Sequence, residues 1–275
     1  MFNILTRIKM KKVVFLLVLS VSTTLVFAQN APQPTPQQIQ RQRQSQWNPA
    51  STEWYYPVPP KVQPGTTAGQ PPSDAIVLFD GKDLSKWESS NAPAERGQRE
   101  AAPWKVVNGE MVVVPGKGGI QTKEFFGDCQ LHIEFKSPPP GNHNGQNRGN
   151  SGIFLQNTYE LQVLDGDNNL TYVNGMVGSI YKQSAPSANA YTQNGQWQVY
   201  DVYWKAPVFD GEGELLSPAM ITVVLNGILV QNNYIVKGHT PYTGLPHYTP
   251  HGRLPLSLQD HGTEVAFRNI WIRNL

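Results

Sequence analysis

The chain has 275 residues, with Lys+Arg 22 against Asp+Glu 20 and a single cysteine, Cys129. That length holds one ordinary or large domain or two small ones. A net charge of +2 without basic clusters beyond the extreme N-terminus leaves no electrostatic footprint for a phosphate backbone, so no nucleic-acid partner is expected, and one cysteine excludes an intramolecular disulfide and any multi-cysteine metal site.

Residues 1–28 hold Arg7, Lys9, Lys11 and Lys12 and no acid, so removing them turns 22 and 20 into 18 and 20, a net of about −2 for the remainder. Lys11 and Lys12 precede the apolar run from Val13 to Leu19, and Ala28 stands before Gln29. This order of basic, apolar and small residues is that of a cleaved export signal. The run is short and diluted by Ser20, Ser22, Thr23 and Thr24, too little for a membrane span. No cysteine follows to carry a lipid. The expectation is a periplasmic or extracellular protein with no membrane span after signal cleavage.

Residues 29–50 are rich in Pro and Gln and poor in aliphatic side chains. They cannot bury enough apolar surface to offset their ordering entropy and are expected to form a disordered tether. Residues 51–72 add Trp54, Tyr55, Tyr56 and Val58 among prolines, which suits an extended arm docking on the folded body, the competing reading being a proline-rich ligand segment.

From residue 73 to 275 short apolar or alternating runs are separated by Gly, Asn, Asp and Pro, the texture of an all-β sandwich with little helix. Strands are expected at Ala75 to Phe79, Trp104 to Val107, Glu110 to Val114, Gln130 to Lys136, Ser151 to Gln156 and Glu160 to Leu164. Further ones are expected at Ser179 to Tyr181, Trp197 to Lys205, Met220 to Leu225, Ile228 to Val230, Leu254 to Gln259 and Val265 to Arg273. Asn108-Gly109 and Asn226-Gly227 mark two hairpins, because both residue types tolerate positive φ. In Gln130 to Lys136 the apolar residues Leu131, Ile133 and Phe135 alternate with His132, Glu134 and Lys136. One face is then core and the other wet, and His132 reads as an ordinary strand residue.

Polar chemistry concentrates in two places. Arg148, Gly149 and Asn150 lead into one strand, and Glu160 and Gln162 sit side by side on one face of the next, a spacing suited to the hydroxyls of a sugar ring. Gln259, Asp260, His261 and Gly262 follow another strand, where His261 could exchange a proton near neutrality or, with Asp260, cap a turn. His239, His247 and His251 have no helical metal spacing. The oxygens of Asp165 to Asn169 leave calcium open but lack the pattern of a calcium loop, so no cofactor or metal is expected. Trp197, Tyr200, Tyr203 and Trp204 cannot all face one core, which leaves some for stacking on sugar or for a second core layer.

Ala75 to Trp87, Gly149-Asn150-Ser151-Gly152-Ile153-Phe154, Tyr159 to Asp165 and Leu258-Gln259-Asp260-His261-Gly262 with Phe267-Arg268-Asn269-Ile270 resemble, in order, the 3-keto-disaccharide hydrolase domain family. The resemblance spans roughly Asp74 to Leu275. It implies a concanavalin A-like jelly-roll β-sandwich of two antiparallel sheets and an exported enzyme acting on a glycoside or oligosaccharide oxidised at C3. A C3 ketone acidifies the C2 hydrogen, so a base can form an enolate, the C1 substituent can leave by elimination, and hydration completes net hydrolysis. His261 or Glu160 is the candidate base. Arg148, Gln162 and Gln259 are candidate donors, Asn150 and Asp165 position substrate or a neighbour, and Lys182 and Trp197 complete the substrate-binding set. A non-catalytic lectin-like module on the same fold is the alternative. The stretch from Pro207 to Pro218 falls outside the matched motifs and is expected to shape one end of the cleft.

Overall fold

The computed structural model describes residues 34–45, 48, 53–91 and 100–275; the expected export signal at 1–28 and the first residues of the tether lie outside the described residues. The chain divides into Met1–Pro60 and Lys61–Leu275. In the first unit a helix, α1, spans Pro36–Ser45 where no regular structure is expected. Its start explains it. The Gln38 N–H donates to Thr35 Oγ1 and the Thr35 N–H to Gln38 Oε1, a capping box with proline at the first helical position. In the same unit Trp54, Tyr55, Tyr56 and Val58 are exposed.

The second unit is built from short antiparallel strands: β1 (Ile76–Phe79), β2 (Trp87–Ser89), β3 (Lys105–Val107), β4 (Glu110–Val112), β5 (Ile120–Phe126), β6 (Cys129–Lys136), β7 (Ser151–Leu155) and β8 (Tyr159–Val163). The chain continues through β9 (Gln198–Lys205), β10 (Val208–Phe209), β11 (Leu215–Ser217), β12 (Met220–Leu225), β13 (Ile228–Ile235), β14 (Leu254–Leu258) and β15 (Ala266–Asn274). One sheet runs β13-β12-β9-β6-β15-β4-β3, with β1 also on β15; the smaller runs β2-β5-β14-β7-β8, and β10 pairs with β11 alone. This is the expected concanavalin A-like jelly-roll sandwich. Both Asn-Gly pairs close hairpins with positive φ at each residue, 53° and 78° at Asn108-Gly109 and 51° and 80° at Asn226-Gly227.

Leu131, Ile133, Phe135, Tyr200, Val202 and Trp204 from the large sheet meet Ile153, Leu155, Tyr159, Leu161, Val163, Leu256 and Leu258 from the small one. The Trp204 and Tyr159 rings pack 5.1 Å apart between centroids. Tyr200 and Trp204 are therefore core, and their polar ends are satisfied, Tyr200 donating to the Gln162 carbonyl and Trp204 Nε1 to Gln156 Oε1. Tyr203 faces out. The strand expected at Ser179 to Tyr181 is reduced to single bridges at Ile180, while β2, β5, β10 and β11 come in addition to the expected strands.

The wet face expected of β6 is instead covered. His132 is 2% exposed and Glu134 9%, because the segment before β1 lies over them. The Gly69 carbonyl accepts from Asn269 Nδ2 and Trp271 Nε1, both at 2.9 Å. A Cβ on Gly69 would lie 3.2 Å from the His132 ring and would need the left-handed φ of +80°, so glycine suits this approach best. The imidazole stacks on Trp271 and bonds Asp201 through Nδ1 at 2.7 Å. Burial by itself would lower the His132 pKa, but Asp201 and Glu134 outweigh it and hold it at about 9. Burial would raise the Glu134 pKa, yet His132, Asn269 and Arg268 bring it down to about 2. His132 is thus a buried, charge-paired residue rather than an ordinary strand residue on a wet face.

Candidate active site

Strand alternation sets the face of the small sheet that turns away from the core. In β8 Tyr159, Leu161 and Val163 belong to the core, so Glu160 and Gln162 point outward. In β7, Gly152 lies opposite Gln162 and Phe154 opposite Glu160. β14 sets Ser257 opposite Phe154, and just past its end the Gln259 N–H donates to the Gly152 carbonyl. Two cross-strand rows result, Gln259-Gly152-Gln162 and Ser257-Phe154-Glu160.

Gly152 leaves room in the first row for the Glu160 carboxyl and the Phe154 ring, and these two side chains line a pocket of ≈ 200 Å³. Gln146, Asn150, Gln162 and Gln259 bring amides to it, Glu160 a carboxyl and His261 an imidazole; Phe154, Tyr181, Thr240 and Tyr242 complete the wall.

Three of these amides are oriented by their neighbours. Gln162 Nε2 donates to Gln146 Oε1 and the Gly175 carbonyl, and Asn150 Nδ2 donates to the Gln146 carbonyl. Gln146 Nε2 donates to Thr171 Oγ1 and to the Gly175 carbonyl. The opposite ends are left over. Asn150 Oδ1, Gln162 Oε1 and Gln259 Oε1 are buried oxygens with no hydrogen-bond partner, and such groups are costly unless a ligand satisfies them.

Glu160 is 6% exposed, and among the described residues nothing donates to its carboxylate. Burial pushes its pKa from 4.5 up to about 8. The burial comes from the sheet edge being closed: the Glu160 N–H donates to Thr240 Oγ1, its carbonyl accepts from the Tyr181 N–H, and the Gln162 N–H donates to the Ser179 carbonyl. His261 stands exposed at the rim on a turn built by Asp260, whose carboxylate accepts from the N–H groups of Gly118 and Gly262.

A pocket with oriented acceptors and one desolvated carboxyl can hold a polyol and move a proton. The 3-keto-α-glucoside-1,2-lyase-like domain family matches residues 74–273. The chain belongs to that family. A solved structure named as a putative glycosyl hydrolase from Parabacteroides distasonis ATCC 8503 is 49% identical, with 82% of this chain and 96% of that one covered and a TM-score of 0.76. A second structure of the same name and organism, 22% identical over 74% of this chain and 94% of that one, has a TM-score of 0.55 and shows the fold alone. No curated protein matches the sequence. Membership makes the chain a carbohydrate-active, lyase-like domain.

The lyase-like domain brings Asn150, Glu160, Gln162, Gln259 and His261 to one pocket. It places the other candidates elsewhere. Arg148 donates to Asp165 Oδ2 and the Asp167 carbonyl and does not line the pocket, and Asp165, wholly buried, does not line it either. The oxygens of the calcium-like run are likewise engaged. Asp167 accepts from Asn168 and the Asn194 N–H, and Asn169 bonds Gly145. Among the described residues no group of three or more His, Cys, Asp or Glu is placed to hold a metal. Trp197 lies on the outer face of the large sheet between Lys136 and Arg268, with its ring centre 4.6 Å and 4.2 Å from them, across the sandwich from the pocket. Lys182 lines a neighbouring cavity. The β10-β11 insert sets Phe209 against Tyr248 and His251, bracing the 237–253 loop from behind instead of shaping the cleft.

Tyr242 belongs to the Lys237 to Arg253 loop, whose length in the sequence suits a cleft wall or lid; Gln146, Phe154, Tyr181 and Thr240 line the pocket without having been singled out in the sequence. Of the latter, only Phe154 carried a usable signal, since alternation in β7 already sets it on the same face as Gly152.

Proposed function

We propose that the lyase-like domain, exported by its N-terminal segment, cleaves the glycosidic bond of glycosides already oxidised at C3. Glu160 in its ionised form takes the C2 proton, and the C2–H electron pair makes the C2–C3 enolate. The enolate collapses to a C1–C2 double bond with C3 again a ketone, and the C1–O pair leaves with the aglycone oxygen. His261 at the rim delivers the proton that oxygen needs, and water adding across C1–C2 then yields the 3-keto sugar. The side-chain Nε2 of Gln259, whose Oε1 has no protein partner among the described residues, can donate to the oxygen at C3 where negative charge develops. Asn150 and Gln162 carbonyls receive the ring hydroxyls.

One observation carries this reading: among the described residues the pocket holds a single carboxyl, Glu160, buried and without a hydrogen-bond partner. Hydrolysis at an unoxidised glycoside ordinarily uses two carboxyls flanking the bond, whereas elimination next to a ketone requires one base. Incubating the protein with a chromogenic 3-keto-glucoside is expected to release the aglycone with transient enone absorbance. Saturable binding with neither product would sink the reading and leave a lectin-like module.

Gly152 gives a second check. A methyl there would sit 2.5 Å from Glu160 Oε1 and 2.7 Å from Phe154 Cε2. Both atoms end movable side chains, so Gly152→Ala is expected to fold, at a cost of about 1–3 kcal/mol. Displacing the carboxyl by about 1 Å is expected to lower kcat roughly 10²-fold. Thermal melts and turnover read the two effects separately.

A further inference from the structure

A second cavity of ≈ 470 Å³ adjoins the sugar pocket, sharing Tyr181 and Tyr242 as its wall. We propose that it is the leaving-group subsite and that it selects aromatic aglycones bearing an anionic substituent, with Lys182 reading the charge. This rests on the reaction proposed above and names its substrate class.

The two cavities differ in chemistry. The sugar pocket presents three unpartnered carbonyl oxygens. In the second, the one amide, Gln183, is fully engaged: Nε2 donates to the Gly238 and His239 carbonyls, and Oε1 accepts from the Lys237 N–H. The side chains that remain, Thr243 and Lys182 apart, are apolar or aromatic, with Tyr242 73% and Leu245 86% exposed beside Pro241 and Pro246. A second sugar, with hydroxyls on every carbon, would find few partners here, whereas an aromatic ring would cover apolar surface.

Among the described residues that line this cavity, Lys182 supplies the only charge. Its ammonium lies 4.4 Å from the Tyr242 ring centre and 5.5 Å from that of Tyr172, and it donates to the Tyr242 carbonyl at 3.0 Å. Two of its three N–H donors are left for a ligand, and no Asp or Glu lines the cavity to neutralise it. The backbone holds it there at a price in strain: φ is +57° at Lys182, a left-handed conformation uncommon outside Gly, Asn and Asp, pinned by its N–H donating to the Asn174 carbonyl at 2.7 Å.

The test uses the full chain with the 4-carboxyphenyl 3-keto-glucoside, its methyl ester and a 3-keto-disaccharide. Wild type is expected to show a KM about tenfold lower for the carboxylate than for the ester, and kcat/KM lower for the disaccharide than for either. Lys182→Met and Lys182→Gly are expected to raise KM for the carboxylate about tenfold and leave the ester unchanged; the glycine variant relaxes the left-handed position, so loss of folding does not confuse the result. Equal KM values in wild type, a shift shared by both aryl substrates, or preference for the disaccharide would overturn the proposal. Equilibrium binding of free 4-hydroxybenzoate separates the two readings. Lys182-dependent binding with no turnover of any 3-keto-glucoside removes the reaction and keeps the subsite, and turnover with no Lys182-dependent binding does the reverse.

Discussion

Glu160→Gln is expected to lower kcat on a 3-keto-glucoside on the order of 10³-fold, within the range that loss of a positioned general base produces, while the protein stays folded. The amide keeps the shape of the carboxyl and can donate or accept a hydrogen bond, so substrate binding should change little. What disappears is the ability to take the C2 proton. Wild-type kcat/KM should follow the ionised fraction of Glu160. With the pKa raised from 4.5 to about 8 by burial, the rate is expected to climb about tenfold per pH unit below that value and to level off above it. A rate that falls as pH rises through the same range would assign Glu160 as the proton donor and move the base elsewhere.

The same shift makes a stability statement whose sign is opposite to that of a paired carboxylate. Between the unfolded value near 4.5 and the folded value of about 8 the native state binds the extra proton. Its contribution is therefore full below 4.5 and lost as pH rises through about 8. Glu160→Gln removes that loss. The variant is expected to be more stable than wild type at pH 9, by as much as about 3–5 kcal/mol, and indistinguishable in this respect at pH 4. A protein that is at once inactive and more alkali-resistant has lost chemistry, not structure, and denaturant melts at the two pH values read this directly.

How much of this was legible in the sequence depends on the range over which each feature is determined. Strand alternation is local, so Tyr159, Leu161 and Val163 already place Glu160 and Gln162 together on the opposite face. The Asn-Gly pairs likewise mark hairpins from two residues each. β5 escapes because Gln121, Thr122, Lys123 and Glu124 in its middle are polar; it is held by pairing to β2 and β14 on either side, partners far away in sequence. His132 illustrates the same limit. Its residue pattern is that of a strand with one wet face, and nothing near it signals that Gly69 will lie over its ring. The family resemblance groups Arg148, Asn150 and Asp165, but which of them faces a ligand is decided by a third partner, Asn194, that no local pattern connects to them.

That third partner makes Asp165 the residue whose loss should cost most in stability. Its side chain is fully buried; Oδ2 accepts from Arg148 Nε at 2.7 Å and Asn194 Nδ2 at 2.6 Å, and Oδ1 accepts from the Asp167 N–H at 2.9 Å. Arg148 in turn has 15% of its side chain exposed. Asp165→Ala would take one acceptor each from the guanidinium and the Asn194 amide, which keep the Asp167 and Pro138 carbonyls, and would leave the Asp167 N–H without its acceptor. Removing one member of a buried, hydrogen-bonded pair typically costs about 3–5 kcal/mol, which for a fold of this size lowers Tm on the order of 10 °C. The network also carries the loop through Gln146 and Asn150 up to the pocket, because the Arg148 carbonyl accepts from the Asp165 N–H and Asn150 Nδ2 donates to the Gln146 carbonyl. KM is therefore expected to rise severalfold as Asn150 loosens, with kcat retained at temperatures where the variant is folded. Asp165→Asn, which keeps the shape and one acceptor, should recover part of the lost Tm. If Asp165 instead acted on the substrate, Asp165→Ala would lose kcat while melting like wild type.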